Sequence, residues 1–319
     1  MIPKLAVVPA LQTRRSDPVR ASVAANQEPA VVSVICVNYN GGALLVDCVQ
    51  SVLASSVSIE LIISDNGSSD GSLNLLRAAL KEDRRLKIVE NGRNLGFAGA
   101  SNAALVQAHG QYVLFLNPDC LIHPDTLQIM CDEMDARPNA AIAGCVIRNP
   151  DGSEQAGCRR RMPALWSGFG RAFGLDDFLK RFSAYDPVEM NSEPLPAHPI
   201  EVEAISGAFM FVRRSALEAV GPLDEGYFLH CEDLDWCMRF LQGGFKVFIV
   251  PSTDITHFKG VSSAARPVSV EWHKHRGMLR FYRKFLFDRY PRLVVLLVSS
   301  GVWLHFCFVA MRRSIRRLL

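Results

Sequence analysis

The chain has 319 residues, 49% of them hydrophobic and 21% charged, which excludes a disordered chain, a collagen and a small disulfide scaffold. Its net charge is +3, but all acidic residues lie at or before Asp288, while Arg289, Arg292, Arg312, Arg313, Arg316 and Arg317 follow, so the first 288 residues hold 29 basic against 32 acidic groups. A mildly acidic body argues against nucleic-acid binding, and the basic tail points to an anionic surface, a membrane being the obvious one.

Residues 1–30 contain no apolar run of secretory length and carry Arg14, Arg15, Asp17 and Pro18, so they read as a flexible leader. A β-branched apolar run over 31–37 predicts a buried parallel strand, broken by Asn38-Tyr39-Asn40-Gly41-Gly42. The spacing of Leu44, Leu45, Cys48 and Val52 predicts a helix over 43–53. A strand over 59–64 ends in Asp65-Asn66-Gly67-Ser68-Ser69-Asp70-Gly71; a helix over 73–80 and a short strand over 86–89 follow. After a turn at 91–96 come a helix over 98–108 and a strand over 112–116 that ends in Asn117-Pro118-Asp119. Pro124 suits the first turn of a helix over 126–134.

This alternation predicts a doubly wound α/β fold, a Rossmann-like, mostly parallel sheet with helices on both faces. In such sheets ligands sit outside the carboxyl ends of the strands. The polar clusters Asn38/Asn40, Asp65/Asn66 and Asn117/Asp119 fall at those ends.

From 148 to 200 the periodicity weakens, and the stretch reads as a long excursion over the acceptor side, with Arg159-Arg160-Arg161 as a solvated loop in preference to a contact for an anionic acceptor. A strand is expected over 202–212, around Ser206-Gly207, then a helix over 215–220. Glu232-Asp233-Leu234-Asp235 opens a helix to about 242, where acidic residues complement the helix dipole. A strand over 245–250 follows, His257 closes a later strand, and His273 and His275 read as solvated. Residues 293–311 lack Asp, Glu, Lys and Arg, are flanked by arginines, and are long enough to span a bilayer. A span, an interfacial helix and a buried helix all fit this tail, with membrane contact favoured. The nine cysteines, an odd number without a CxxC pair, read as reduced core thiols of a cytosolic protein.

The chain has no GxGxxG after its first strand and no GxxxxGK[ST], so dinucleotide-dehydrogenase and P-loop readings lose their support. Asp119, fixed after a buried strand by Pro118, suits a hard-metal ligand, although Asx-Pro also simply starts turns. Glu232 and Asp233 are either dipole partners or a general base for a hydroxyl. His257 is either a structural histidine or a second metal ligand beside Asp119. Neighbouring carboxylates cannot flank a glycosidic bond, which excludes a glycosidase. No glycine-rich basic loop near the first strand supports a nucleotidyltransferase.

Together these segments resemble glycosyltransferase family 2, whose members have the GT-A fold. The resemblance runs from about 32 to 257, more loosely to 285. It rests on the strand ending in Tyr39-Asn40, on Asp65-Asn66-Gly67-Ser68-Ser69-Asp70-Gly71, on Asn94-Leu95-Gly96-Phe97-Ala98, on Asn117-Pro118-Asp119 and on the Glu232-Asp233 pair. Within the family it looks most like the bacterial rhamnosyltransferase-like branch.

The resemblance implies a nucleotide-sugar half over 31–135, an acceptor half over 136–260 within a domain over 31–285, and a basic, apolar membrane-associating tail over 286–319. It implies that Tyr39 and Asp65 contact the base and ribose, with Asn38, Asn40, Asn94, Gly96 and Asn117 beside them. Asp119 would hold a Mn²⁺ or Mg²⁺ that bridges the diphosphate, with His257 as a further ligand. Asp233 would be the catalytic base, with Glu232 placing the acceptor. Asn117 stands where the family's first metal-motif carboxylate is usual, leaving one strong anionic ligand. The implied activity is inverting transfer of a sugar, rhamnose in that branch, from a nucleoside diphosphate to a lipid-linked or polysaccharide acceptor at the cytoplasmic face of the inner membrane. A non-catalytic nucleotide-sugar-binding scaffold of the same fold is the alternative.

Overall fold

The computed structural model describes residues 30–80, 83–165, 188–259 and 267–318. The leader expected over 1–30 lies outside the described residues except for Ala30, as does the middle of the excursion, 166–187.

The first half forms as the periodicity predicts. Strands β1 (Val32–Asn38) and β2 (Ile59–Asp65) are buried along their whole length, as their mainly apolar sequences favour, and the polar Ser33 and Glu60 within them bond each other at 2.6 Å. Between them α1 (Leu44–Leu53) buries Leu45, Cys48, Val49 and Val52, one stripe at helical spacing. Helix α2 (Ser72–Ala79), β3 (Leu86–Glu90), α3 (Gly96–Leu105) and β4 (Tyr112–Leu116) complete the alternation. After these come β5 (Cys120–Ile122), α4 (Thr126–Asp135) and β6 (Ala140–Arg148).

Strands β1, β2, β3 and β4 pair in parallel in the order β3-β2-β1-β4. The chain winds outward from β1 to β3, then returns to β4 on the other side of β1. That reversal opens a crevice at the carboxyl ends of β1 and β4, the place where open α/β sheets take ligands. Asn38 closes β1 and Asn117 follows β4, so the topology brings the Tyr39 and Asn117-Pro118-Asp119 segments to one crevice.

The second half departs from a simple winding. Short β7 (Arg159–Arg160) and β8 (Ile200–Val202) precede β9 (Ala204–Ile205) and β10 (Phe209–Arg213). The single strand expected over 202–212 is broken at Ser206-Gly207: β10 inserts antiparallel between β4 and β6, while β9 leaves the main sheet to pair with β7. Helices α5 (Arg214–Val220) and α6 (Glu232–Gln242) follow, then β11 (Lys246–His257), which lies parallel to β6 and antiparallel to β5 and β8. The main sheet is thus mixed, with two parallel blocks joined through antiparallel β10.

Helix α7 (Pro267–Phe285) and helix α8 (Arg292–Leu318) end the described chain. The solvated reading of His275 is corrected here, because α7 packs on the body and buries His275 together with Glu271, Leu279, Phe281 and Tyr282. Helix α8 is longer than the 293–311 run because its flanking arginines continue the helix. Eight cysteines are buried, Cys307 is exposed, and all nine are free thiols.

Candidate active site

The loops after β1 and β2 form one hydrogen-bonded unit. Fully buried Asn38 donates through Nδ2 to Asp65 Oδ1 (2.8 Å), Ser68 Oγ (3.0 Å) and Ser72 Oγ (2.9 Å), and its Oδ1 accepts the Gly41 amide (3.1 Å). The Asp65 carboxylate also takes the Gly67 and Ser68 amides and the Ser68 hydroxyl, at 2.7–3.0 Å. Asn40 sits at φ 55° and accepts the Ser69 amide at 2.8 Å. The Asn38, Asn40 and Asp65 side chains are therefore engaged in shaping their own loops, while Tyr39 is left half-buried at the end of β1.

A second unit surrounds Gly96. Buried Asn66, expected in the polar cluster at the end of β2 but given no role of its own, donates to the Gly96 carbonyl (3.1 Å) and to Asn94 Oδ1 (3.3 Å), and Asn94 Oδ1 accepts the Gly96 amide (2.9 Å). Gly96 has φ +78°, and a Cβ there would lie 2.4 Å from the Phe228 carbonyl oxygen. Only glycine fits both the conformation and the approach. The Phe97 amide bonds that same carbonyl at 2.8 Å, which ties the loop before α3 to the segment that leads into α6.

Asp119 and His257 come together although they are far apart in sequence, because β11 pairs antiparallel with β5 in the register His257↔Cys120. Both are buried, and Asp119 Oδ1 lies 3.1 Å from His257 Nε2, with Asn117 Nδ2 at 3.4 Å from the same nitrogen. The proton of the ring is fixed from behind. Gln155 Nε2 donates to Asn149 Oδ1 (2.9 Å), which leaves Gln155 Oε1 to accept from His257 Nδ1 (2.7 Å). With Nδ1 engaged by Gln155, His257 turns Nε2 toward a carboxylate oxygen. A carboxylate and an imidazole nitrogen facing each other at this distance suit a shared cation, and an imidazole with an oriented outer hydrogen bond is the usual form of a metal ligand. Cys120 completes the group of potential ligands found among the described residues. Burial pushes its thiol well up, and Sγ points at the Ala208 carbonyl, so it stays a protonated wall of the site.

Asp233 and Glu232 begin α6 and are both buried. The turn before them is strained, with His230 and Cys231 both at φ 70°. Helix α7 approaches it closely at Gly277, where a Cβ would lie 2.8 Å from the His230 carbonyl oxygen. Asp233 Oδ2 accepts from Arg160 and from the Gly207 amide (3.1 Å), and Oδ1 accepts the Leu234 amide (2.8 Å).

Arg160 also bonds the Ile205 carbonyl, and its Nε is buried without a partner among the described residues. The solvated reading of Arg159-Arg160-Arg161 is thus corrected for two of the three. Arg159 is 1% exposed and paired with Glu154, and Arg160 reaches Asp233 because β7 pairs with β9. Nothing local in an arginine run signals this; the partner lies 73 residues away.

The two carboxylates are pushed in opposite directions. Burial would raise Asp233, but the Arg160 guanidinium outweighs it and holds the carboxyl below its ordinary range. Burial and then the Asp233 charge raise Glu232 to about 8, and its Oε2 has no partner among the described residues. A charged, acceptor-only Asp233 beside a neutral Glu232 is the pattern expected of a site with divided acid and base roles.

One turn joins these parts. Gly207 donates its amide to Asp233, and the next residue, Ala208, accepts the Asn117 amide at 3.0 Å. The break between β9 and β10 thereby sets the α6 carboxylate and the Asn117-Pro118-Asp119 loop in a fixed relation.

Residues 33–221 match the family model "Glycosyl transferase family 2". Two similar curated proteins are the N-acetylglucosaminyl-diphospho-decaprenol L-rhamnosyltransferase of Mycobacterium tuberculosis, 30% identical over 75% of this chain and 80% of that one, and Rhamnosyltransferase WbbL of Escherichia coli, 25% identical over 72% and 83%. Among solved structures, a Pyrobaculum calidifontis mannosyltransferase in complex with GDP-Man and Mn²⁺ superposes with TM-score 0.56 at 17% identity, covering 88% of this chain and 74% of that one. GalNAc-T7 with UDP, GalNAc and Mn²⁺ gives 0.53 at 18% identity, over 73% and 44%. The fold is that of the GT-A glycosyltransferases, and the family match and relatives make the chain a transferase. The chain belongs to glycosyltransferase family 2 and is rhamnosyltransferase-like within it.

Proposed function

We propose that this protein is an inverting glycosyltransferase that moves a sugar, rhamnose by likeness to its relatives, from a nucleoside diphosphate to a lipid-linked acceptor in cell-surface glycan synthesis. The observation that carries the reading is the joint at Gly207-Ala208, which holds a charged carboxylate and a carboxylate–imidazole pair in one rigid frame. In this reading Asp233 takes the proton of the acceptor hydroxyl as its oxygen attacks the anomeric carbon, a contribution of ~10²–10⁴-fold. Glu232, neutral and unpaired, donates a hydrogen bond to the acceptor. Tyr39 faces the base, while Asn38, Asn40 and Asp65 fix the loop that presents it, and Asn94 and Gly96 fix the loop beside them. The division into a nucleotide-sugar half and an acceptor half follows, with the crevice between them.

Asp119 and His257 would hold a divalent cation, with Asn117 at its edge. Such an ion supplies electrostatic stabilisation of the charge on the leaving diphosphate. An imidazole nitrogen in the donor set favours Mn²⁺ over Mg²⁺, which prefers oxygen ligands. A lipid-linked acceptor places the enzyme at the cytoplasmic face of the inner membrane, reached through the tail.

A panel of nucleotide sugars with Mn²⁺, read by nucleoside-diphosphate release, tests the proposal. One donor should respond, and Asp233→Asn should lower its turnover by ~10²–10⁴-fold while leaving donor-induced thermal stabilisation intact. Turnover unchanged by that substitution would remove Asp233 from the base role. Donor stabilisation with no release in either form would favour a nucleotide-sugar-binding scaffold.

A further inference from the structure

Helix α8 meets the body along one face and presents a different chemistry on the other. Its inner face carries Val294, Val295, Val298, Val302 and Trp303, partly buried against the core. Trp303 lies 4.8 Å from Trp272 of α7 between ring centres. Two polar contacts fix the helix. His305 Nδ1 lies 2.9 Å from Nε2 of buried His275, and Arg313 bonds buried Glu271 at 2.6 Å. On the outer face Leu293, Leu296, Leu297, Leu304, Phe308 and Met311 are each 58–69% exposed. They are spaced by three, four or seven residues, with Leu296 and Leu297 side by side, so they form one stripe along the helix.

By length and composition α8 could cross a bilayer. Its docking argues otherwise. Crossing would strip Glu271 and His275 of their α8 partners and carry His305 into hydrocarbon, where ionisable groups are costly. Lying flat keeps both contacts and buries the outer stripe.

The charge pattern says what covers that stripe. Arg289 and Arg292 stand at one end, and Arg312, Arg313, Arg316 and Arg317 at the other, with no acidic residue after Asp288. A second copy of the helix would set arginine against arginine at both ends. An anionic bilayer surface satisfies both ends at once. We infer that α8 lies in the plane of an anionic membrane, docked to α7 by its inner face and sunk into the headgroup region by its outer stripe. This deepens the membrane part of the reading above and holds the crevice at the surface where a lipid-linked acceptor resides.

Cys307 is an exposed thiol on α8 and the other eight cysteines are buried, so a single environment-sensitive fluorophore can be placed there. The full chain carrying it is mixed with phosphatidylglycerol-containing vesicles or with phosphatidylcholine vesicles alone. Binding should favour the anionic vesicles, weaken at least about tenfold between roughly 0.1 M and 1 M salt, and reverse in alkaline carbonate. Quenching of the fluorophore should be strongest from nitroxides placed near the headgroups. The doubly substituted Leu296→Glu, Leu304→Glu protein should lose vesicle binding yet keep its donor-induced thermal shift, because both positions are exposed. That shift, read on the same samples, scores the transferase reading separately. Carbonate-resistant association with quenching deepest at the bilayer centre would overturn the inference in favour of a span. Unlabelled protein that cross-links into dimers through Cys307 and binds no vesicle would overturn it in favour of a second copy.

Discussion

Arg160 is the residue whose importance grows most between sequence and structure. It is the charged partner of the proposed base, and it holds that base ionised against the pull of burial. Arg160→Ala should therefore raise the Asp233 pKa, and the acid limb of kcat/KM should move up by about one unit or more. A pH profile of donor turnover checks this; an unmoved limb would place the base elsewhere. Glu232 gives a prediction of the opposite sign. The unfolded chain ionises this residue from near 4.5, while the fold keeps it neutral up to about 8. The unfolded state thus binds fewer protons in that window, and stability falls as pH rises through it. Glu232→Gln should flatten the decline, so that the variant gains melting temperature over the parent at pH 8 relative to pH 5. Thermal unfolding at the two pH values measures it.

At the scale of elements, the structure rewards patterns of strong period and punishes their absence. Strands β1, β2 and β4 are legible because they are short, mainly apolar runs with polar residues at their ends. Strand β6 was not read, because Ala140–Arg148 is rich in alanine and glycine, which say little about a strand until neighbours bury them. Helix α7 was missed for another reason. Its charges serve the body, with Lys284 bonding fully buried Asp235 and Arg280 bonding Asp224, so its polarity looked like solvent exposure. The candidate site is legible where a local motif stands out in the sequence, as in Asn117-Pro118-Asp119 and Glu232-Asp233. Arg160, Gln155 and the Gly207 turn reach their partners through strand pairing over long separations, which a linear reading does not contain. The α3 entry offers a test at this scale. Gly96→Ala forces a Cβ against the Phe228 carbonyl at positive φ, and should cost about 1–3 kcal/mol. Donor-induced stabilisation should weaken with it; an alanine variant of unchanged melting temperature and donor response would show that this approach is relaxed in solution.

Across the whole molecule, the boundary between the two proposed halves is not a boundary in the sheet. Strand β4 belongs to the first half, and its free side is closed by β10 of the second in the register Leu116↔Phe209 to Tyr112↔Arg213. A fragment ending near residue 135 would present β4 as a bare, fully buried-type edge, an invitation to intermolecular pairing. Expressed alone, residues 30–135 should therefore run as oligomers or precipitate rather than as a monomer in size-exclusion chromatography. Co-expression with the remaining chain should restore solubility, because the missing strand returns in trans. Fusion or exchange of modules among relatives thus has to respect the β4–β10 seam: a donor-specificity graft that replaces β4 without β10 changes one wall of a zip and leaves the other unmatched, and a graft that takes both strands also imports the turn that aims the proposed base.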